Sequence, residues 1–388
     1  MWFTDVYALA ALAGFAGLLA ATKRWTWNKR WLLLSFNVAF LAVFSRFHGP
    51  LVAFALAYTA ANYAGYVWLC WARSFRRAGF WGLIAANVAA VSAVRFVDMG
   101  VLPEPPFYNA IVTLGLIYYV LKAIDAVYFA YFVGQEGRAR AVDYFNFILF
   151  VPTFTSGPIL KFRDFLADAA RPYDVGAADL ETAVKRIVLG LFKKTVVVYW
   201  MQRVFDAVAA GSGDLHAAES LFLMAWFYVM IYFDFSGYSD IAIGFGRLFG
   251  YNVPENFKRP FLSPTLTQYW RNWHATMADW FRDHVYLLVA RRNVSRRTAA
   301  GLSVVIMLLI GLWHGYTWTY VVWGLWHGAV LAVENLLGRT TVNRKKVGAI
   351  HFYARCLLTQ LIVVLAVAVY IPDAELVRRV YAGLLFGW

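Results

Sequence analysis

Apolar runs of membrane-spanning length recur along the whole chain, and no other feature restricts its fold as strongly. They lie near residues 4–22, 31–46, 50–72, 79–97, 107–133, 144–160, 187–208, 217–233, 301–313, 318–337 and 352–371, some of them short or broken. A helix needs about 20 apolar residues to cross a bilayer core of about 30 Å, and a helix satisfies its backbone polar groups internally, as lipid demands. The 388 residues are 61% hydrophobic and only 15% charged, with a mean hydropathy of +0.56. A soluble domain could not hide that much apolar surface. The expected fold is therefore an all-α polytopic membrane protein with about eleven transmembrane or re-entrant helices. We read it as one integral-membrane domain over 1–388, with N-terminal helices in 1–133, a core in 144–337, and a C-terminal helix and tail in 352–388.

The connectors carry the charge. Lys and Arg number 36 against 22 Asp and Glu, a net +14, and the basic residues fall in short clusters between apolar runs. That pattern encodes topology and contact with anionic lipid, not a nucleic-acid surface. Basic connectors "TKRWTWNKR" (22–30), "RSFRR" (73–77) and "GQEGRAR" (134–140) alternate with the basic-poor "DMGVLPEPP" (98–106) and the turn around His48. The positive-inside rule then places the N-terminus outside and loop 22–30 in the cytoplasm. Blocks 291–297 and 338–346 fall in the cytoplasm too, so the turn after 301–313 faces outward. Cys70 and Cys356 stand apart in apolar surroundings, without the spacing of a disulfide framework or a zinc site. The N-terminus lacks the basic start and cleavage site of a signal peptide and reads as the first membrane helix.

Two regions break the pattern. "VPTFTSGPILKFRDF" opens 151–186 with two prolines and a glycine inside an apolar run, so a re-entrant or broken segment is expected. Residues 234–299 are longer and more polar. Within them Thr265 and Gln268 have capping-box spacing, and Trp270, Trp273, Met277, Trp280 and Phe281 share one helical face. This reads as one amphipathic helix at the cytoplasmic boundary. "YFDFSGYSD" is expected to form a turn at membrane depth, serving either as a hydrogen-bond knot or as a substrate contact. "PENFKRPF" is expected to turn the chain, with Asn256 bonding backbone and Lys258 and Arg259 meeting lipid phosphate or a donor.

Candidate chemistry centres on histidine. "GLWHGYTWTYVVWGLWHG" (311–328) sets His314 and His327 in an apolar stretch, and ionisable groups at membrane depth tend to mark function. Gly311 and Gly315 would let backbone approach His314 closely, with Trp313 among its aromatic flanks. His327 lies thirteen residues on, about 20 Å along a continuous helix. It reads as a hydrogen-bonded supporting residue unless the chain folds back. His274 sits on the apolar face of the amphipathic helix, and its plainer role is a hydrogen bond to a backbone carbonyl. His284 reads as exposed, and His48, His216 and His351 have no assigned role. Lys122 and Asp125 are spaced for an ion pair. No HExxH or Gly-x-Ser-x-Gly pattern occurs. A histidine acting as general base on a hydroxyl suffices if the acyl donor is already a thioester.

The stretches "PTFTSGPILKFRDF" (152–165), "YFDFSGYSDIAIGFGRLFGYNVPENFKRPFLSPTLTQYWRNWHATMADWFRDHVY" (232–286) and "GLWHGYTWTYVVWGLWHG" resemble the membrane-bound O-acyltransferases. The likeness is to the bacterial branch of teichoic-acid D-alanyl transfer and alginate O-acetylation, and it covers about a quarter of the chain. It implies a ring of helices around a central funnel or tunnel, with His314 as catalytic base and His274 as second functional histidine. Ser156, Gly157, Pro158, Asp234, Ser236, Tyr238, Ser239, Asp240, Asn256, Trp270, Trp273 and Trp313 would line the tunnel or contact substrate. It further implies a cytoplasmic thioester donor, either an acyl-phosphopantetheine carrier protein or acetyl-CoA, and no tightly bound cofactor or metal. The acceptor would be a cell-envelope or exported polymer across the cytoplasmic membrane, with an extracytoplasmic partner protein passing on the acyl group. "PTFTSGPI" and the chain length favour the D-alanyl type over acetylation of a polysaccharide such as alginate or cellulose. The competing class is a proton-coupled transporter or channel, which would show internal repeats and paired broken helices.

Overall fold

In a computed structural model the chain is described over residues 4–23, 28–44, 49–104, 108, 115–211, 214–290 and 294–387. The residues outside these ranges include His48 and parts of connector 22–30, loop 98–106, segment 107–133 and block 291–297. The described residues are predominantly helical, without named strands. The helices are α1 (Val6–Ala21), α2 (Asn28–Phe44), α3 (Gly49–Trp71), α4 (Arg76–Asp98), α5 (Leu116–Val133), α6 (Ala141–Ile148), α7 (Phe162–Ala170), α8 (Ala177–Phe192), α9 (Val198–Ala209), α10 (Ala217–Leu248), α11 (Leu266–Asn272), α12 (Ala275–Phe281), α13 (Leu287–Val289), α14 (Arg296–His314), α15 (Trp318–Leu337), α16 (Ala349–Val367) and α17 (Ala374–Phe386). Five described stretches are long and apolar enough to cross a membrane: Arg76–Asp98, Leu116–Gly137, Ala217–Leu248, Arg296–His314 and Ala349–Tyr370. The polytopic all-α architecture expected from the apolar runs is what the chain adopts.

The helices group into two compact units. The first comprises residues 1–189 and 238–254, the second 190–237 and 255–388. In the first, α5 packs against α3 and α4, and α6 against α2. Lipid supplies little hydrophobic drive between helices, so buried polar side chains link them. Asn37 Nδ2 donates to Asn146 Oδ1 at 3.1 Å and Asn87 Nδ2 to Asn62 Oδ1 at 2.8 Å. The Tyr66 hydroxyl donates to Gly137 O at 2.6 Å and accepts from Ala139 N at 2.9 Å. Lys122 is buried with its ammonium donating to Ile148 O at 3.4 Å, while Asp125 accepts from Phe162 N at 2.5 Å. Segment 144–160 is broken as expected: α6 ends at Ile148 and a single 3-10 turn, Val151–Thr153, precedes irregular backbone.

The second unit is organised by α14 and α15, an antiparallel hairpin. A Cβ on Gly311 would collide with Tyr320 O, one on Gly324 would lie 2.7 Å from Met307 O, and one on Gly328 would lie 2.9 Å from Val304 Cα. Glycine at these three positions brings the two backbones into direct contact, as small residues do between membrane helices. Asn335 Nδ2 adds a bond to Ser303 Oγ at 3.0 Å.

Three expectations need correcting. "YFDFSGYSD" does not form a turn, because it lies inside the 32-residue helix α10. The helix former content on both sides carries the chain through Gly237, whose missing side chain admits Gly190 O and Lys194. The amphipathic helix is not continuous: α11 and α12 are separated at Trp273–His274, and a π-turn follows at Arg282–Tyr286. Finally, α17, a further amphipathic helix capped by Asp373, occupies sequence read as tail.

The glycine seam yields a test. Gly324→Ala forces apart backbone that cannot yield locally, and overpacking of this kind costs about 1–3 kcal/mol. Gly301→Ala, on the same hairpin with nothing within 4 Å, should be neutral or stabilising by about 0.5–1 kcal/mol. Thermal unfolding in detergent separates the two; equal melting temperatures would show that close approach does not hold the hairpin.

Candidate active site

Three elements of the second unit carry the histidines. His314 is the last residue of α14, and the chain reverses through Gly315–Thr317 before α15 begins at Trp318. The fold-back allowed by "HGYTW" therefore occurs. Half-buried His314 is ringed by aromatics: Tyr320 stacks at 5.9 Å, Trp323 meets it edge-on at 5.8 Å, Tyr370 edge-on at 5.1 Å, and Trp313 at 4.7 Å. A Cβ at Gly315 would meet the Tyr320 ring at 2.6 Å, so both glycines flanking His314 admit close neighbours.

His274 occupies the break between α11 and α12 with φ 45° and ψ 47°, a left-handed conformation that side chains other than glycine rarely adopt. Such strain costs about 1–3 kcal/mol and persists only where the surroundings enforce it. Here they do. Lys258 N donates to Asn272 O at 2.8 Å and Ala275 N to Asn256 O at 2.9 Å, so the segment around "PENFKRPF" is bonded across the break. Fully buried Asn256 accepts from Thr276 Oγ1 at 2.8 Å and from Thr276 N at 3.4 Å, which matches its expected backbone bonding. The His274 ring lies edge-on to Phe235 at 4.6 Å and 6.2 Å from Trp313. Its Nε2 is buried without a hydrogen-bond partner among the described residues, so the alternative of a carbonyl-bonded Nε2 does not hold. This imidazole is buried between α10 and α14, where its charged form is disfavoured.

His327 faces the same cluster from α15. Its ring lies 4.7 Å from Trp323 and 5.3 Å from Trp270, and Trp270 meets Trp323 edge-on at 5.6 Å. Trp323 thus touches both His314 and His327. The expected hydrogen-bonded support is not what holds His327: its Nδ1 is buried without a partner among the described residues, and ring packing takes that role. His284, expected to be exposed, is buried; its ring stacks on Trp280 at 4.4 Å and its Nδ1 bonds Trp280 O at 2.8 Å. The π-turn rotates it inward.

The other predicted site residues divide. Trp313 and Trp270 belong to the histidine cluster, whereas Trp273 stacks with Tyr228 at 5.3 Å and Tyr269 at 5.6 Å in an adjoining aromatic layer. Asp234 pairs with Lys194, and Ser236 Oγ is buried without a partner among the described residues. Ser156, Gly157, Pro158, Tyr238, Ser239 and Asp240 lie in the first unit. There Gly157 takes φ 107° with the Tyr238 ring filling the space of its absent side chain, Tyr238 donates to Pro152 O at 3.2 Å, and Asp240 pairs with Arg186. These bonds favour the knot over a substrate contact, although the knot ties a helix rather than a turn. Tyr320, Trp323, Tyr370 and Phe235 were not foreseen. Tyr320 and Trp323 follow His314 by six and nine residues, a spacing that a helical hairpin brings back onto it, but Tyr370 gives no local signal. Among the described residues no group of three or more His, Cys, Asp or Glu side chains is placed to hold a metal.

The chain is 32% identical over 273 residues to a probable alginate O-acetylase AlgI of Pseudomonas fluorescens, covering 67% of this chain and 55% of that one. It is 33% identical over 255 residues to a teichoic acid D-alanyltransferase of Streptococcus thermophilus, covering 61% and 60%. It is 30% identical over 210 residues to a peptidoglycan O-acetyltransferase of Helicobacter pylori, covering 52% and 38%. The chain spans about half the length of the curated relatives it matches. Residues 133–370, more than half of the chain and inclusive of every histidine in the cluster, match the membrane-bound O-acyltransferase family model, and the chain belongs to that family.

Proposed function

We propose that this protein transfers an acyl group from a cytoplasmic thioester donor to a hydroxyl of a cell-envelope or exported polymer, from a multi-pass position in the cytoplasmic membrane. The observation that carries the reading is the buried His274, whose Nε2 has no partner among the described residues, next to Trp313, which in turn meets the aromatic-ringed His314. A buried polar nitrogen without a partner is costly, and family membership supplies a chemistry that uses it. In this reading His314 accepts the hydroxyl proton as the oxygen attacks the thioester carbonyl. The carbonyl oxygen gains charge as the tetrahedral centre forms, and the thiolate then leaves. Neutral His274 donates one hydrogen bond to the developing oxyanion or to the donor. No covalent enzyme intermediate is needed, because the thioester is already activated.

The acyl group is one carried as a thioester. The relatives named above include O-acetyl and D-alanyl transferases, so acetyl-CoA and a D-alanyl carrier protein are the two donors to supply. Basic connectors on the cytoplasmic face would attract either polyanionic donor. Transfer to the polymer is direct or through an extracytoplasmic protein, and in this reading Trp313 contacts the substrate.

His314→Gln should abolish transfer by inserted, folded protein, while His274→Gln, which keeps a neutral donor, should retain measurable turnover. Labelled polymer formation in membranes reads both; undiminished activity in His314→Gln would sink the base assignment. Separately, membranes given labelled acetyl-CoA or labelled D-alanyl carrier protein should transfer from one of the two, and label from neither would exclude the thioester reading.

A further inference from the structure

Glu334 is the acidic residue inside the apolar run 318–337, and among the described residues its carboxylate bonds to backbone and hydroxyl donors. Its Oε1 accepts from Leu266 N at 2.7 Å, and its Oε2 accepts from Thr267 N at 2.9 Å and from Thr267 Oγ1 at 2.6 Å. All three donors belong to the first residues of α11. A carboxylate accepting successive backbone N–H groups at the start of a helix is held by charge-assisted bonds and by the helix dipole together. Neighbouring bonds make the junction wider. Thr265 Oγ1 donates to Thr340 O at 2.8 Å, and Gln268 exchanges two bonds with Val342, at 3.2 and 2.8 Å. The start of α11 is therefore bolted to the end of α15 and the residues after it.

The consequence lies at the other end of each helix. Along α15, eleven residues before Glu334, stands Trp323, which touches His314; that is about 16 Å of rigid helix. Along α11, Trp270 packs on Trp323 and His327 of α15, and two residues after α11 ends comes the left-handed His274. α15 thus meets α11 at two places, one of ring contacts and one of hydrogen bonds. The ring contacts pack the two helices together but involve no backbone atom of α11. The bonds to Glu334 fix its register.

We infer that Glu334 is a positioning residue that sets His274 relative to His314 by anchoring α11 to α15. It touches neither the proposed donor nor the hydroxyl. This rests on the reading of His274 as part of the site, and it adds a residue remote from the chemistry on which that geometry depends. A misplacement of about 1 Å at a reacting group can cost on the order of 10²-fold in rate, so the anchor acts on turnover rather than on donor capture.

The test uses the full-length protein in detergent or membranes, with two readouts. Glu334→Ala should lower kcat about 10²-fold with donor KM changed less than about twofold, and Glu334→Gln, which keeps one acceptor oxygen, should lie between it and the parent. Diethyl pyrocarbonate labelling, read by mass spectrometry at each histidine, gives the second. Glu334→Ala should raise modification of His274 several-fold, while His284 and His327 stay protected and exposed His216 and His351 label as before. Unchanged His274 labelling overturns the inference, and so does labelling that rises at His284 and His327 as well, since Glu334 would then serve general stability. Labelling does not depend on turnover. A fully active His314→Gln variant alongside selective His274 labelling would refute the proposed chemistry and leave the anchor standing.

Discussion

The backbone contact between α14 and α15 underlies the rest of the second unit. Where lipid surrounds a helix, apolar side chains gain nothing by leaving it, so association rests on close packing and on polar links. Gly311, Gly324 and Gly328 remove the side chains that would hold these two helices apart. Their approach delivers Tyr320 and Trp323 onto His314 and sets His327 behind Trp323. A hairpin splayed by even one methyl group would lose that ring of aromatics, because packed rings tolerate little displacement.

Against this rigid hairpin the chain places a strained residue. His274 is held left-handed between two helices of seven residues each, and the strain is supported by bonds from the segment around Asn256 on one side and by the anchoring of α11 on the other. Short helices end with free backbone groups at closely spaced points; that is how the α11–α12 break can be both irregular and fully bonded at its edges. The outcome is an imidazole buried in an aromatic environment, which an uninterrupted helix would not present. The two π-turns, at Lys193–Val197 and Arg282–Tyr286, serve the same end in other places: each re-aims a polar side chain, Lys194 onto Asp234 and His284 onto Trp280.

Much of this was legible from composition and pattern. Apolar length announced membrane helices, Pro152, Gly157 and Pro158 announced a broken segment, Thr265 announced the start of α11, and its hydroxyl does accept from Gln268 N at 3.1 Å. The glycines around His314 pointed to close approach there. The misreadings share a cause. "FSGYSD" looks like a turn by residue type, yet a helix in a packed bundle accepts glycine and serine when neighbouring helices need the room. Trp270 to Phe281 looks like one helical face by periodicity, yet periodicity cannot see a single left-handed residue that reverses the phase. Glu334 stood in the open as an acidic residue in an apolar run, and only its partners, 67 and 68 residues away, explain it.

Local chemistry was thus enough to set the class of fold, because apolar length, glycine and proline act on their own neighbourhood, and the resemblance of three motifs was enough to set the family. The pairing of His314 with Tyr370, the strain at His274, the inward turn of His284 and the grip of Glu334 on α11 needed the folded chain. Each depends on which distant backbone or ring lies within a few ångströms, and that is settled by packing whose partners are far apart in sequence.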